Sequence, residues 1–188
     1  MTCANIMIVG GGARELAELA DSMGDLFVAS PLRGAGSVED AMPRPIQFAR
    51  ITVGYDLALH LYLIAGDRKF SFIWGVLARD MAGYILLVNG QTRDGLAAAR
   101  QTHLIVSRAC RAPYVVAVTD EERDVAAHQS AVAQALNLGP SCQILPCNCA
   151  DRASMKRVLN ALLREMMQTM ERAPQAQALN AVESGAAV

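Results

Sequence analysis

The sequence predicts an α/β domain of three layers, whose six-stranded sheet is mostly parallel and carries one antiparallel strand. Two observations lead there. Apolar runs of strand length alternate with segments of helical period along the 188 residues, the pattern of helices laid over a parallel sheet. One junction breaks the alternation: only Gly54-Tyr55-Asp56 separates Ile51-Thr52-Val53 from Leu57-Ala58-Leu59. That gap is too short for a crossover helix, so these two strands pair as an antiparallel hairpin.

The first strand falls at residues 5–10, through Ile6-Met7-Ile8-Val9-Gly10, and a helix at 13–23 follows it. Between Ser30 and Pro45 the chain holds Pro31, Gly34, Gly36, Pro43 and Pro45 without any period, and reads as a surface loop. The hairpin strands occupy 46–54 and 57–65, and a helix at 70–80 leads to the strand at 83–89. Helix 94–110, strand 113–119, helix 124–137 and strand 142–147 continue the alternation. The last helix, 152–171, has the clearest period: Met155, Val158, Leu159, Leu162, Leu163, Met166, Met167 and Met170 form one apolar stripe. Asp151 is placed to cap its N-terminus by accepting a backbone N–H. One domain over residues 1–172 accounts for these elements. The Ala/Gln-rich residues 173–188 have little to bury and read as a frayed tail.

Composition excludes several function classes. A formal net charge of −1, with 19% charged residues, offers no basic field to nucleic acid. No apolar run reaches the roughly 18 residues of a membrane span and no export signal precedes the first strand, which predicts a cytoplasmic chain without membrane insertion. The five cysteines, Cys3, Cys110, Cys142, Cys147 and Cys149, are odd in number and fit reduced thiols better than a disulfide framework. Cys142, Cys147 and Cys149 have no second pair or nearby His to complete a metal site, so they read as small buried hydrophobes. His60, His103 and His128 are scattered over a strand and two helices and suggest no triad.

The junction after the first strand carries the most chemical information. A strand running into a helix through Gly10-Gly11-Gly12 is where a phosphate-binding loop belongs. In the pattern G-x-x-x-x-G-K-[ST] the second Gly closes the backbone on the ligand, the Lys reaches the β/γ-phosphates and the hydroxyl holds Mg²⁺. Counted from Gly10, those three positions are Glu15, Leu16 and Ala17. A carboxylate there repels a triphosphate, and no lysine lies nearby to offset it. Two alternatives stay open for the glycines: a tight strand-to-helix turn, or a backbone nest for an anion assisted by Arg14. A dinucleotide-binding G-x-G-x-x-G is a weak match, because Glu15 holds its third glycine and Phe27-Val28-Ala29-Ser30 lacks a clear ribose-binding acid.

The element order, with one hairpin and a long loop between the first helix and the second strand, resembles the Ras-like GTPase fold. Phe48-Ala49-Arg50-Ile51-Thr52-Val53, Leu61-Tyr62-Leu63 and Phe70-Ser71-Phe72-Ile73-Trp74 narrow the similarity to small bacterial GTPases of the MglA and conservon type. So do Gly83-Tyr84-Ile85-Leu86-Leu87-Val88, Tyr114-Val115-Val116-Ala117-Val118, Ile144-Leu145-Pro146-Cys147 and Asp151-Arg152-Ala153-Ser154-Met155-Lys156. These segments are largely core-forming, so they speak to fold more than to activity.

Each nucleotide motif that the resemblance implies departs from the family pattern. Where the family's Mg²⁺-binding switch threonine belongs, this chain has Met42-Pro43-Arg44-Pro45. After the third strand, Leu63-Ile64-Ala65-Gly66-Asp67-Arg68-Lys69-Phe70 keeps Gly66 and puts Asp67 at the position of the water-orienting glutamine. The base-reading N-K-x-D becomes Thr119-Asp120-Glu121-Glu122, whose acids also suit the start of a helix. The final loop, Cys147-Asn148-Cys149, keeps the family's Cys. Losing the Lys, the Mg²⁺ ligand and the base contacts removes several charge-assisted hydrogen bonds of about 1.5–3 kcal/mol each.

Together these departures imply a catalytically inactive GTPase-fold protein, without cofactor, that acts through protein contacts. The resemblance implies a Roadblock/LC7-type protein or a homologous GTPase as partner, with self-association also open. The hairpin and residues 66–80 are the candidate interface, with Phe70, Phe72 and Trp74 as anchors unless they serve the core. Two other readings remain: a divergent nucleotide hydrolase using Gly10 to Gly12, Arg14 and Asp67, and a dinucleotide-binding oxidoreductase.

Overall fold

The computed structural model describes residues 2–23, 46–53, 55–66, 71–119 and 125–185, giving the backbone alone at 13, 71–73, 125–128 and 173–185. In chain order the elements are β1 (Thr2–Gly10), α1 (Ala13–Met23), β2 (Ile46–Val53), β3 (Leu57–Ala65) and α2 (Ser71–Leu77), which tightens into a 3₁₀ turn at Ala78–Asp80. Then come β4 (Gly83–Val88), α3 (Arg93–Ala109), β5 (Tyr114–Val118), α4 (Val125–Leu136), β6 (Ile144–Pro146) and α5 (Arg152–Gly185). The six strands make one sheet in the order β2-β3-β1-β4-β5-β6. All neighbours pair parallel except β2 and β3, whose antiparallel register sets Val53 opposite Leu57.

Strand periodicity divides the core in two. Ile6 and Ile8 of β1 face one side with Leu59, Leu61, Leu63, Ile85 and Leu87, and there they meet Leu16 and Leu19 of α1 and Met155, Val158 and Leu162 of α5. Met7 and Val9 face the other side with Ile64, Leu86 and Val116, where Trp74, Ala99, Val106, Val132 and Leu136 from α2, α3 and α4 close over them. The three expected layers are therefore present. Fully burying one such aliphatic side chain stabilises the fold by about 1.5–3 kcal/mol before entropic costs.

Several expectations are corrected in detail. β1 starts at Thr2 rather than residue 5, because Thr2, Cys3 and Ala4 pair with Leu57, Ala58 and Leu59 although they precede the aliphatic run that marks the strand. The strand expected at 142–147 shortens to Ile144–Pro146, the length that finds partners on β5. α5 continues as helix to Gly185, where a tail frayed from residue 173 was expected. Its apolar stripe is buried only in part: Met155 through Leu162 pack on the sheet, but Met167 and Met170 are exposed. By those residues the helix has passed the edge of the core it covers.

Trp74, an expected interface anchor, is fully buried, and its Nε1–H donates to the Ala65 carbonyl at 3.2 Å. It is a core residue that fastens α2 to the end of β3. Phe70 lies outside the described residues, as does the Ser30–Pro45 segment, and nothing is described of the Phe72 side chain.

One buried group makes stability depend on pH. His103 of α3 is buried, with Nδ1 3.5 Å from the Tyr84 hydroxyl and its ring against Tyr114. Burial disfavours the imidazolium and lowers the pKa of His103 from its ordinary value. The unfolded chain therefore binds a proton that the folded chain refuses, so stability falls as pH drops below about 6.5. Urea unfolding at neutral and mildly acidic pH checks this: His103→Gln loses less stability on acidification than the wild type, and equal losses would contradict it.

Candidate functional site

The topology creates a crevice at the C-terminal edge of the sheet. β1 hands the chain to α1 on one face, whereas its neighbour β4 hands it to α3 on the other. Loops that diverge at such a switch point leave room for a ligand beyond the strand ends. A pocket of ≈ 320 Å³ opens there, lined by Gly10, Gly11, Gly12, Glu15, Gly66, Asn89 and the first turns of α3. A second, of ≈ 400 Å³, is lined by Arg14, Glu15, Glu18, Asn89, Gln91, Thr119, Cys147 and Cys149. Glu15 and Asn89 border both.

The glycine turn is closed on itself. Gly10 and Gly11 have φ of 105° and 64°, in the region that favours glycine. A Cβ on Gly10 would stand 2.3 Å from the Leu87 carbonyl oxygen. Gly11 N–H donates to that same oxygen at 3.2 Å, and the Gly11 carbonyl accepts from Gly66 N–H at 3.3 Å. The end of β1 is thus bonded to the ends of both neighbouring strands. Gly66 belongs to this junction, since a Cβ there would come within 3.0 Å of the Gly10 Cα.

The next donor is taken by a side chain. Glu15, in the first turn of α1, accepts the Gly12 N–H through Oε2 at 2.9 Å and the Asn89 Nδ2–H through Oε1 at 3.3 Å. This is the return half of a capping box: a carboxylate in the first turn satisfies the N–H just before the helix and complements its dipole. The glutamate therefore occupies the space in front of the turn where an external anion would have to approach.

The helix also starts early. A phosphate-wrapping loop needs four residues between its two glycines, yet α1 is already helical at Ala13, three positions after Gly10. That shift decides where the family's key positions point. Leu16, which the register aligns with the phosphate-binding lysine, is buried in the core beneath α1, and Ala17 is exposed. A lysine at position 16 would project into an apolar layer rather than the crevice.

The other expected residues fall into place around this junction. Arg14 lies at the second pocket, but its Nε donates to Glu18 Oε1 at 2.7 Å in an exposed i,i+4 pair. The Thr119 hydroxyl bonds back to the Val88 carbonyl at 3.3 Å, and its own N–H does so at 2.8 Å. Cys147 lines the second pocket and its N–H donates to the Val118 carbonyl at 2.8 Å. Asp67 and Asp120 lie outside the described residues. Glu15, Glu18 and Asp94 border the two pockets, so the described lining favours cations and neutral groups over phosphate. No cluster of three or more His, Cys, Asp or Glu suited to a metal occurs among the described residues.

Asn89 escaped the sequence reading. Its side chain joins the two halves of the crevice, donating to Glu15 and accepting the Gln91 N–H at 3.0 Å through Oδ1. Thr92 follows as the cap of α3, its hydroxyl accepting Gly95 N–H at 3.0 Å. The run Asn89-Gly90-Gln91-Thr92 carried the available signal, a turn residue followed by a capping residue.

Two substitutions test this construction by urea unfolding. Gly10→Ala costs more than about 1–3 kcal/mol, the range for a strained backbone alone, because the new methyl also meets the Leu87 carbonyl. Glu15→Ala costs about 1 kcal/mol through loss of the cap, and an unchanged midpoint in either variant would contradict the geometry. In comparisons with known proteins, no family model matches the sequence and no curated protein matches it.

Proposed function

We propose that the chain is a pseudo-GTPase: a Ras-like fold that no longer binds or hydrolyses GTP and serves as a protein-interaction module. What carries the reading is the state of the glycine turn. Gly11 N–H is bonded to Leu87 and Gly12 N–H to the Glu15 carboxylate, so two donors that a phosphate would need already have acceptors within the chain. The strand order, with one antiparallel hairpin beside a parallel sheet, supports the fold assignment. Without a γ-phosphate to order switch segments, the protein acts constitutively rather than as a nucleotide-driven switch.

The hairpin is the favoured contact surface. Among the described residues β2 is an edge strand of the sheet, and such an edge is a ready template for another chain. On one of its faces Phe48 packs against His60 in a tilted and against Tyr62 in an edge-on arrangement, at ring separations of 5.4 and 5.3 Å, and all three are half-buried. Tyr55 at the tip is exposed. By resemblance, the partner is a Roadblock/LC7-type protein or a homologous, active GTPase. Buried Trp74 takes no part.

Calorimetric titration of the full chain with GTP, GDP and ATP in Mg²⁺ tests the proposal. Dissociation constants weaker than about 1 mM are expected for all three, corresponding to less than about 4 kcal/mol of binding. Micromolar or tighter binding would overturn the proposal in favour of a divergent nucleotide-binding protein. Thermal stabilisation by NAD(H) or NADP(H) would point instead to the oxidoreductase reading.

A further inference from the structure

Cys147 and Cys149 are separated only by Asn148 where β6 gives way to α5, and their thiols lie near enough to perturb each other's ionisation. Both are buried in the core on the α1–α5 face, and both also border the ≈ 400 Å³ pocket. The turn that holds them is well braced. Asn148 N–H donates to Ser154 Oγ at 3.0 Å, Ala150 N–H to Asn148 Oδ1 at 2.9 Å, and the Asp151 carboxylate caps α5 by accepting Ala153 N–H and Ser154 N–H at 2.9 and 3.1 Å. Cys110 and Cys142 pack with the opposite core, across the sheet, and Cys3 is exposed at the start of β1. None of these three shares the pocket.

We propose that Cys147 and Cys149 form a reversible redox site that consumes a hydroperoxide, with Cys147 as nucleophile and Cys149 as resolving thiol. The Cys147 sulfur attacks the peroxide, the O–O bond breaks, and the displaced oxygen takes a proton and leaves as water or an alcohol. Cys147 becomes a sulfenic acid. The Cys149 sulfur then attacks it, the S–O bond breaks, and the hydroxyl leaves as water with the Cys149 proton. Two thiols and one hydroperoxide thus yield one disulfide, one water and one water or alcohol. An external dithiol reverses the bridge by exchange.

The surroundings assign these roles consistently. Hydrogen bonding from Cys149 lowers the pKa of Cys147, helped by the Ser154 hydroxyl and the Arg157 charge, and outweighs the opposing effects of burial and of the Asp151 carboxylate. The same bond, together with burial and the nearby Glu15 and Glu18 carboxylates, raises that of Cys149. A two-residue spacing closes a small strained ring, which favours an easily reduced bridge over a structural one.

The test treats the reduced full chain with hydrogen peroxide, alkylates the remaining thiols and maps them by mass spectrometry. Trypsin leaves Cys142, Cys147 and Cys149 in one peptide, so Cys142→Ser is run alongside. The expected product is a Cys147–Cys149 bridge, two hydrogens lighter, reversed by dithiothreitol and formed about tenfold or more faster than Cys110 is oxidised. In Cys149→Ser, dimedone is expected to trap sulfenic acid on Cys147. A bridge to Cys142, oxidation no faster than that of Cys110, or no dimedone adduct on Cys147 would each overturn the proposal.

Discussion

The rest of the structure depends on the hydrogen bond from Gly11 N–H to the Leu87 carbonyl. It forms only because Gly10 adopts a backbone geometry that brings its Cα against β4, an approach any side chain would block. Once made, it ties the exit of β1 to the exit of β4 and fixes the direction in which α1 departs. Gly66 closes the junction from the β3 side. The three central strands thus end at one point, and the crevice is the space left around it.

The two apolar layers hold that point in place. α1 and α5 press on the sheet through Leu16, Leu19, Met155 and Val158, while Trp74 anchors α2 on the opposite face by bonding to the last residue of β3. Because α1 begins at Ala13, its inward face is set by Leu16 and Leu19, and Glu15 is turned back toward the glycines. Core packing and the chemistry of the junction are therefore one constraint. A loop long enough to wrap a phosphate would move the start of α1 and rotate Leu16 out of the core.

Much of the fold was legible because its signals are local. Continuous apolar runs of strand length marked the strands, the three-residue gap after Val53 marked the hairpin, and Asp151 marked the start of α5 where its carboxylate does accept Ala153 and Ser154 N–H. The misses share a physical cause. Thr2 to Ala4 extend β1 because Leu57 to Leu59 are there to pair with, and Trp74 is core because its indole packs in one cluster with Ile64 and Leu86 of the sheet; neither fact is encoded in the immediate sequence. At the site, the glycines and the misplaced Glu15 could be read directly. That Glu15 caps Gly12, that Leu16 points inward and that Asn89 joins the two halves required the start of α1 to be known to the residue.

The central claim is that the donors of the glycine turn are satisfied within the chain. Nitrogen–proton correlation spectra of the labelled protein test it directly, through the backbone amides of Gly11 and Gly12. The account predicts that the Gly12 resonance moves when Glu15 is replaced by Gln, and that neither resonance moves when Mg²⁺-GDP is added to the wild type. Saturable displacement of both resonances by the nucleotide would show the turn to be an open phosphate site, and would contradict the account.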